Sequence, residues 1–281
     1  MTLQNGLDYL IRKFKDAGLA EPQYEARQLV QEALGITLSQ LLSHPDRDLE
    51  IAHSEKIQQW AAERARGVPL AYLSGHKGFY RYDFAVEPGV LVPRPESELV
   101  VETAIRRAEG LPKIHNIVDM GCGSGCIGLS LILEISSAYL WAVDSSLKAC
   151  ELTRKNAQQL GVESRLRVEN KRVEDWSTPE HFEIIVANPP YIAKNDPRVE
   201  RAVREHEPHE ALFGGEDGLE FLRRWSKWAH QMLNKNGVFV CEFGSDQGEQ
   251  MKKILTNFGF VDLQIEKDLA GLDRVISGVR P

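Results

Sequence analysis

Asn188-Pro189-Pro190-Tyr191 closes an apolar run, Phe182 to Ala187, and is the tetrapeptide in this chain with the clearest chemical use. The Asn188 side-chain oxygen and the Pro189 carbonyl are two acceptors close together. The paired prolines fix the backbone and remove competing donors. Two acceptors so placed take both N–H protons of an amino or amide group. An amide nitrogen is a poor nucleophile because its lone pair is delocalised into the carbonyl, and gripping both protons turns that lone pair toward an electrophile. Tyr191 offers a flat apolar wall for a planar amide. Asn188, Pro189 and Tyr191 are thus candidate catalytic residues, and Asn188 to Tyr191, with Pro190, the candidate substrate grip. Taken alone, the tetrapeptide also suits a plain strand-ending turn.

A second cluster lies upstream. Asp119-Met120-Gly121-Cys122-Gly123-Ser124-Gly125 follows another apolar run. Glycines let the backbone approach a ligand closely and tolerate positive φ, and a helix opening after them offers its free amides. Asp144 ends the next apolar run about 20 residues on, where a carboxylate can accept both hydroxyls of a ribose. Gly121, Cys122, Gly123, Ser124, Gly125 and Asp144 are therefore candidate cofactor ligands. Gly123, Gly125 and Gly128 also satisfy the Gly-x-Gly-x-x-Gly spacing of dinucleotide binders. On this loop alone a nicotinamide or flavin stays open, as does a structural turn; the downstream tetrapeptide favours transfer of a methyl group.

These groups need a scaffold. From Glu96 onward helical and strand patterns alternate: helix Glu96 to Glu109, strand His115 to Asp119, helix Gly125 to Leu133, strand Ala138 to Asp144, helix Leu147 to Leu160, strand Arg165 to Glu169 and strand Phe182 to Ala187. Helix Leu219 to Leu233, strand Val238 to Phe243, helix Gly248 to Phe258 and strands near Val261 to Glu266 and Arg274 to Val279 complete the series. Such alternation predicts a mostly parallel sheet covered on both faces. Ligands of such a sheet bind at the carboxyl ends of its strands, which puts both clusters on one cleft.

Residues 1–75 read differently. Leu3, Leu7, Leu10, Ile11 and Phe14 recur at helical spacing, Pro22 to Leu34 forms a second helix, Leu38 to Leu42 a turn, and Ile51 to Arg66 a third helix. This small bundle carries no catalytic cluster and is read as a docking or capping domain. Residues 76–95, rich in aromatic residues and broken by Gly and Pro, read as a hairpin linker, and residues 96–281 as the catalytic domain.

The composition bounds the partners. The chain has 281 residues, 42% hydrophobic and 27% charged, with a net charge of −7, which argues against a general affinity for nucleic-acid phosphates. Four cysteines, Cys122, Cys126, Cys150 and Cys241, sit in apolar surroundings without metal-ligand spacing and read as reduced structural thiols. His206 and His209 lack a third ligand nearby and read as surface or hinge residues, so no metal is expected. The charged run Asp196 to Glu207 reads as a solvated helix able to act as a lid. No stretch approaches the roughly 20 apolar residues of a membrane span, and the N-terminus lacks the apolar run of a signal peptide. A cytoplasmic protein is expected.

The glycine loop with Asn188-Pro-Pro-Tyr191 resembles the class I methyltransferases that act on exocyclic or amide nitrogens. Leu91-Val-Pro-Arg94-Pro95-Glu96-Ser97-Glu98, Glu210-Ala-Leu-Phe-Gly214-Gly215-Glu-Asp217-Gly218-Leu and Asp268-Leu-Ala-Gly271-Leu-Asp273-Arg274 narrow the resemblance. Over essentially the whole chain they are similar to the release-factor glutamine methyltransferases, the HemK/PrmC family. Ser97 stands where that family has threonine, Cys122 where threonine is frequent, and Cys150 where leucine is. The resemblance implies an α/β fold, a class I (Rossmann-like) seven-stranded sheet with a small N-terminal helical bundle. It implies S-adenosyl-L-methionine as cofactor, held by Gly121 to Gly125, Asp144, Trp176 and Asn188, with Trp176 stacking on adenine. It also implies the glutamine of the Gly-Gly-Gln loop of peptide chain release factors as substrate. Two further readings use the same tetrapeptide: a ribosomal-protein glutamine methyltransferase and a nucleic-acid adenine N6-methyltransferase. A binding module that keeps the fold without catalysis is the non-enzymatic alternative.

Overall fold

The computed structural model describes residues 2–111 and 113–281. The chain divides into two compact units, one of residues up to Gly75 with Val199–His206, the other of His76–Arg198 with Glu207–Pro281.

The first unit is helical. In α1 (Leu3–Asp16), Leu3, Leu7, Leu10 and Phe14 share one buried face, and the Thr2 side chain caps the helix by accepting from the Asn5 amide. In α2 (Pro22–Leu34), Ala26, Leu29, Val30 and Ala33 are buried. The expected turn that follows is a helix, α3 (Leu38–Ser43), because Thr37 and Gln40 form a reciprocal capping box. In α4 (Ile51–Ala65), Ile57 and Ala61 complete the same core. The Arg64 guanidinium from α4 donates two bonds, of 2.9 and 2.8 Å, to the Glu25 carboxylate of α2. A short α5 (Leu70–Ser74) ends this part.

The second unit opens with a hairpin, β1 (His76–Phe79) against β2 (Tyr82–Ala85). Its Phe79 and Phe84 rings meet edge to face and share a core cluster with Ile117, Leu140 and Val240 of the sheet. After a single 3₁₀ turn come α6 (Glu98–Ala108), β3 (Asn116–Met120), α7 (Cys126–Glu134), β4 (Tyr139–Asp144), α8 (Leu147–Gln159), β5 (Leu166–Asn170) and β6 (Phe182–Ala187). The charged run then forms α9 (Arg201–His206), which belongs to the helical unit, where His206 Nε2 lies 3.0 Å from the Arg66 carbonyl. Back in the second unit follow α10 (Glu220–Met232), β7 (Leu233–Glu242), α11 (Gly248–Phe258), β8 (Val261–Lys267) and β9 (Asp273–Val279).

The seven strands lie in the order β5-β4-β3-β6-β7-β9-β8, with β9 antiparallel to both of its neighbours and the other pairs parallel. Alternate side chains feed two cores, as the two-residue period of a strand requires. Ile117, Ile184 and Val186 face α6 and α7, whereas Val118, Met120, Ile185 and Ala187 face α10 and α11. Burial on both faces is why the central strands read as mostly apolar runs, interrupted by Asp119 in β3 and Glu183 in β6. Strand β7 starts five residues before the predicted Val238: Leu233 pairs with Phe182, and the register then shifts so that Val238 pairs with Ile184, leaving Asn234 to Gly237 as an irregularity with no apolar signal. No helix among the described residues is long and apolar enough to cross a membrane.

Candidate active site

Strand order decides where the site is. From β3 the chain moves outward through β4 to β5, then returns to place β6 on the other side of β3. The reversal leaves a crevice at the carboxyl ends of β3 and β6. Met120 pairs with Ala187 across these strands, so Gly121 and Asn188, the next residues of each chain segment, start level with one another. A cavity of about 660 Å³ opens there, lined among others by Val90, Arg94, Gly123, Asp144, Asn188 and Trp225. That volume falls within the roughly 300–1,000 Å³ of small-molecule sites.

On the β3 side, Gly121 has φ 69°, and a Cβ on it would come within 2.6 Å of the Trp225 ring. The loop is therefore pressed against α10 on one side while the cavity stays free on the other. The Asp119 carboxylate accepts from the Gly128 amide at 2.9 Å and ties the start of α7 to β3. Burial pushes its pKa up to about 7, against that amide and with help from the charge of Asp144. Asp144 accepts from the Gly123 amide at 2.9 Å and from the Ser146 amide at 2.8 Å. Burial raises its pKa, and these two amides oppose the shift. Each carboxylate oxygen keeps further lone pairs for an incoming donor. Cys122 and Ser124 are buried and line the cavity. The Cys122 thiol lies 3.4 Å from Thr153 Oγ1, and burial beside Asp144 and Asp119 drives its pKa well above the ordinary thiol value.

Trp176, expected beside the cofactor, is buried in this structure. It is only 4% exposed, stacks on Trp228 with centroids 5.2 Å apart, and packs against Trp141 and Phe182. Its ring does not line the cavity; Val173 and Glu174, just before it, do. The short 3₁₀ turn Val173–Asp175 swings the indole back under the sheet, where a large apolar ring is stabilised far more than at an open cleft.

On the β6 side, Asn188 and Pro190 line the cavity, while Pro189 and Tyr191 are not among its lining residues. Asn188 Nδ2 donates to Ser97 Oγ at 2.9 Å, and Ser97 Oγ donates to Glu242 Oε2 at 2.6 Å. The Tyr191 hydroxyl donates to the other oxygen of the same carboxylate at 2.9 Å. Sequence reasoning missed Glu242; its signal is a lone acid in the apolar strand Val238-Phe-Val-Cys-Glu242-Phe243. It also missed what backs the tetrapeptide. Gly218 has φ 71°, and a Cβ there would meet the Tyr191 carbonyl at 2.4 Å. That carbonyl accepts from Gln247 Nε2 at 2.9 Å. The Glu210 to Leu219 segment is thus a brace behind the tetrapeptide, which explains its run of glycines.

Opposite, the Val90 to Arg94 wall is anchored by Glu207, buried to 5% exposure, which pairs with Arg94. Behind it the buried Asn156 side chain accepts from the Ala85 amide at 2.7 Å and donates to the Ser124 carbonyl at 2.8 Å, linking the hairpin to the glycine loop. Cys122, Cys126, Cys150 and Cys241 are buried free thiols. Among the described residues no group of three or more potential metal ligands is gathered.

Comparison with known proteins adds to this geometry. Residues 7–75 match the family described as the PrmC N-terminal domain, and residues 97–206 the methyltransferase small domain. A release factor glutamine methyltransferase of Koribacter versatilis is 31% identical over 282 residues, spanning 100% of this chain and 99% of that one. The chain belongs to the release factor glutamine methyltransferase family. Another family member, from Bordetella pertussis, is 36% identical over 94% of this chain and 96% of its own length. Among solved structures, the ribosomal protein L11 methylase of Lactobacillus delbrueckii subsp. bulgaricus shares the fold, with a TM-score of 0.50 and 19% identity over 69% of this chain and 83% of that one. Members of this family are S-adenosylmethionine-dependent methyltransferases, and so is this chain; the nicotinamide and flavin readings of the glycine loop fall away. The residues present fit that cofactor: the loop is backed by Trp225 but open to the cavity, and the Asp144 carboxylate has acceptor capacity to spare.

Proposed function

We propose that this enzyme methylates the side-chain amide nitrogen, N5, of the glutamine in the Gly-Gly-Gln loop of peptide chain release factors. The observation that carries this reading is the orientation of Asn188. The Ser97 proton is committed to Glu242, so Ser97 accepts from Asn188 Nδ2, and Asn188 Oδ1 is left as an acceptor for the cavity. An acceptor there suits a substrate that arrives with an NH2 group.

When bound, S-adenosylmethionine supplies an electrophilic methyl whose transfer leaves a neutral thioether. The protein's part is alignment. Asn188 Oδ1 and the Pro189 carbonyl accept hydrogen bonds from the two amide N–H groups and turn the nitrogen lone pair toward the methyl. As the C–N bond forms, positive charge grows on nitrogen and both hydrogen bonds strengthen. The extra proton then passes to solvent, so no strong base is needed. Holding the two reactants in line is worth effective molarities of about 10⁵–10⁸ M. Gly121 to Gly125 and Asp144 are assigned to the cofactor, and Val173 and Glu174, just before Trp176, line the same cavity.

Family membership and the −7 net charge support a protein substrate over nucleic acid. The helical unit is assigned to gripping the release factor away from its glutamine, and the cytoplasm, where translation terminates, is the assigned compartment. The test is mass spectrometry of a purified release factor incubated with the enzyme and S-adenosylmethionine. One methyl group on the Gly-Gly-Gln glutamine supports the reading. Modification confined to a ribosomal protein or to adenine in nucleic acid overturns it.

A further inference from the structure

We propose that Glu242 is a positioning residue for methyl transfer: acting through Ser97, its carboxylate dictates which end of the Asn188 side chain faces the reacting amide. This rests on the reading that Asn188 holds the target amide.

The juxtaposition comes from the sheet. Ala187 pairs with Cys241 across β6 and β7, so Asn188 and Glu242 are the next residues on neighbouring parallel strands. Ser97, at the start of α6, stands between them and is 2% exposed; Glu242 is 1% exposed and does not line the cavity. A buried carboxylate that touches no ligand is costly to maintain and invites a purely structural replacement. Burial raises its pKa, and hydrogen bonds from Ser97 and Tyr191 and the charge of Arg274 oppose that shift and favour the ionised form; Arg274 is itself paired with Asp268.

What the carboxylate adds is direction. An ionised carboxylate accepts only, a hydroxyl has one proton to give, and a side-chain amide accepts at one end and donates at the other. Both Glu242 oxygens are engaged, by Ser97 at 2.6 Å and by Tyr191 at 2.9 Å. The Ser97 proton therefore points to Glu242, and toward Asn188 Ser97 presents only a lone pair. Asn188 must turn Nδ2 to Ser97 and Oδ1 to the cavity. With the relay reversed, Nδ2 would face the cavity and oppose a substrate NH2 donor to donor.

A neutral amide at position 242 has the same shape but one donor end. If that end faces Ser97, the Ser97 proton turns on Asn188 and the orientation flips. If it faces Tyr191, the phenol proton loses its acceptor. Either way the single-valued direction is lost.

The experiment compares wild type, Asn188→Ala, Glu242→Gln, Ser97→Ala, Ser97→Thr and the Ser97→Ala/Glu242→Gln double variant. It measures kcat and KM on a release factor and, separately, S-adenosylmethionine affinity by calorimetry. Glu242→Gln and Ser97→Ala are each expected to lower kcat by about 10- to 100-fold, as for loss of a hydrogen bond to a charged group, with cofactor affinity unchanged. The double variant should be no worse than the poorer single, since both break one relay. Ser97→Thr, which keeps the hydroxyl, should recover most of the loss. A Glu242→Gln enzyme with wild-type kcat, or losses that multiply and travel with weakened cofactor binding, overturns the proposal. Should Glu242→Gln fail to fold, the serine pair decides: equal kcat for Ser97→Ala and Ser97→Thr overturns it, and a loss confined to alanine supports it. Failure of the underlying reading looks different, because then wild type transfers no methyl to the release factor or Asn188→Ala keeps its rate, and the positioning role falls with it.

Discussion

Met120 and Ala187 face each other across the two central parallel strands, and this one pairing brings the glycine loop and the Asn188 to Tyr191 tetrapeptide level with each other. Each begins at the next residue, so the spacing of the two segments is set by backbone hydrogen bonds.

Asn188→Ala should therefore spare cofactor affinity while lowering kcat by at least about 10²–10³-fold, the range for losing one pre-aimed polar group. Cofactor titration beside a rate assay checks this. Parallel losses in both would mean that Asn188 serves the cofactor first.

Asp144 makes the opposite prediction. Asp144→Ala should raise the cofactor dissociation constant about tenfold or more, equivalent to roughly 1.5–3 kcal/mol of charged hydrogen bonding. Calorimetric titration gives the answer directly; an unaltered constant would remove Asp144 from the cofactor site.

Gly218→Ala should damage catalysis without touching any ligand. Its φ of 71° and the 2.4 Å approach to the Tyr191 carbonyl force the brace or the tetrapeptide to move. A cost of about 1–3 kcal/mol is expected, with kcat falling further than that stability loss explains. Denaturant unfolding and a rate assay together test it, and a stable, fully active variant would deny the brace its role.

Asp119 gives a pH signature. Its folded-state pKa of about 7 lies above its ordinary 3.8, so the folded chain holds the proton more tightly than the unfolded chain. Its contribution to stability is present at low pH and declines as pH rises through that window. Asp119→Asn lacks this decline, so the thermal midpoint of the variant should gain on wild type across the window and level off above it. A constant gap between the two melting curves would mean that Asp119 is ionised throughout.

If the helical unit grips the substrate protein, its exposed apolar side chains are the place to look. Tyr24 and Ile51 are 58% and 78% exposed. Replacing both by alanine should raise KM for a whole release factor and leave kinetics on a short Gly-Gly-Gln peptide unchanged. Equal KM values on the whole factor would move the docking surface elsewhere.

The sheet could be read from sequence because burial on both faces writes mostly apolar runs at β3, β4 and β6, and because glycine and proline mark the loops that follow. Trp176 could not be placed the same way. Its position after β5 was visible, but the direction of its ring depends on space left between β4 and α10, filled by Trp141, Phe182 and Trp228. Helix α3 was hidden by its brevity, although Thr37 and Gln40 carried its cap. Glu242 had a local signal, an acid in an apolar strand, but its partners Ser97 and Tyr191 lie 145 and 51 residues away in the chain. Such pairings are a product of topology, which spacing along the chain does not encode.

The placement of β9 carries a consequence for how the chain is made. It follows β8 in sequence yet lies between β8 and β7, so the edge of the sheet cannot be laid down in the order of synthesis. A growing chain that stops short of Asp273 leaves β8 with no strand to join and Glu242 without the countercharge of Arg274. The far edge and the electrostatic balance at Glu242 thus depend on the same strand, and a truncation that removes one strand costs the protein two.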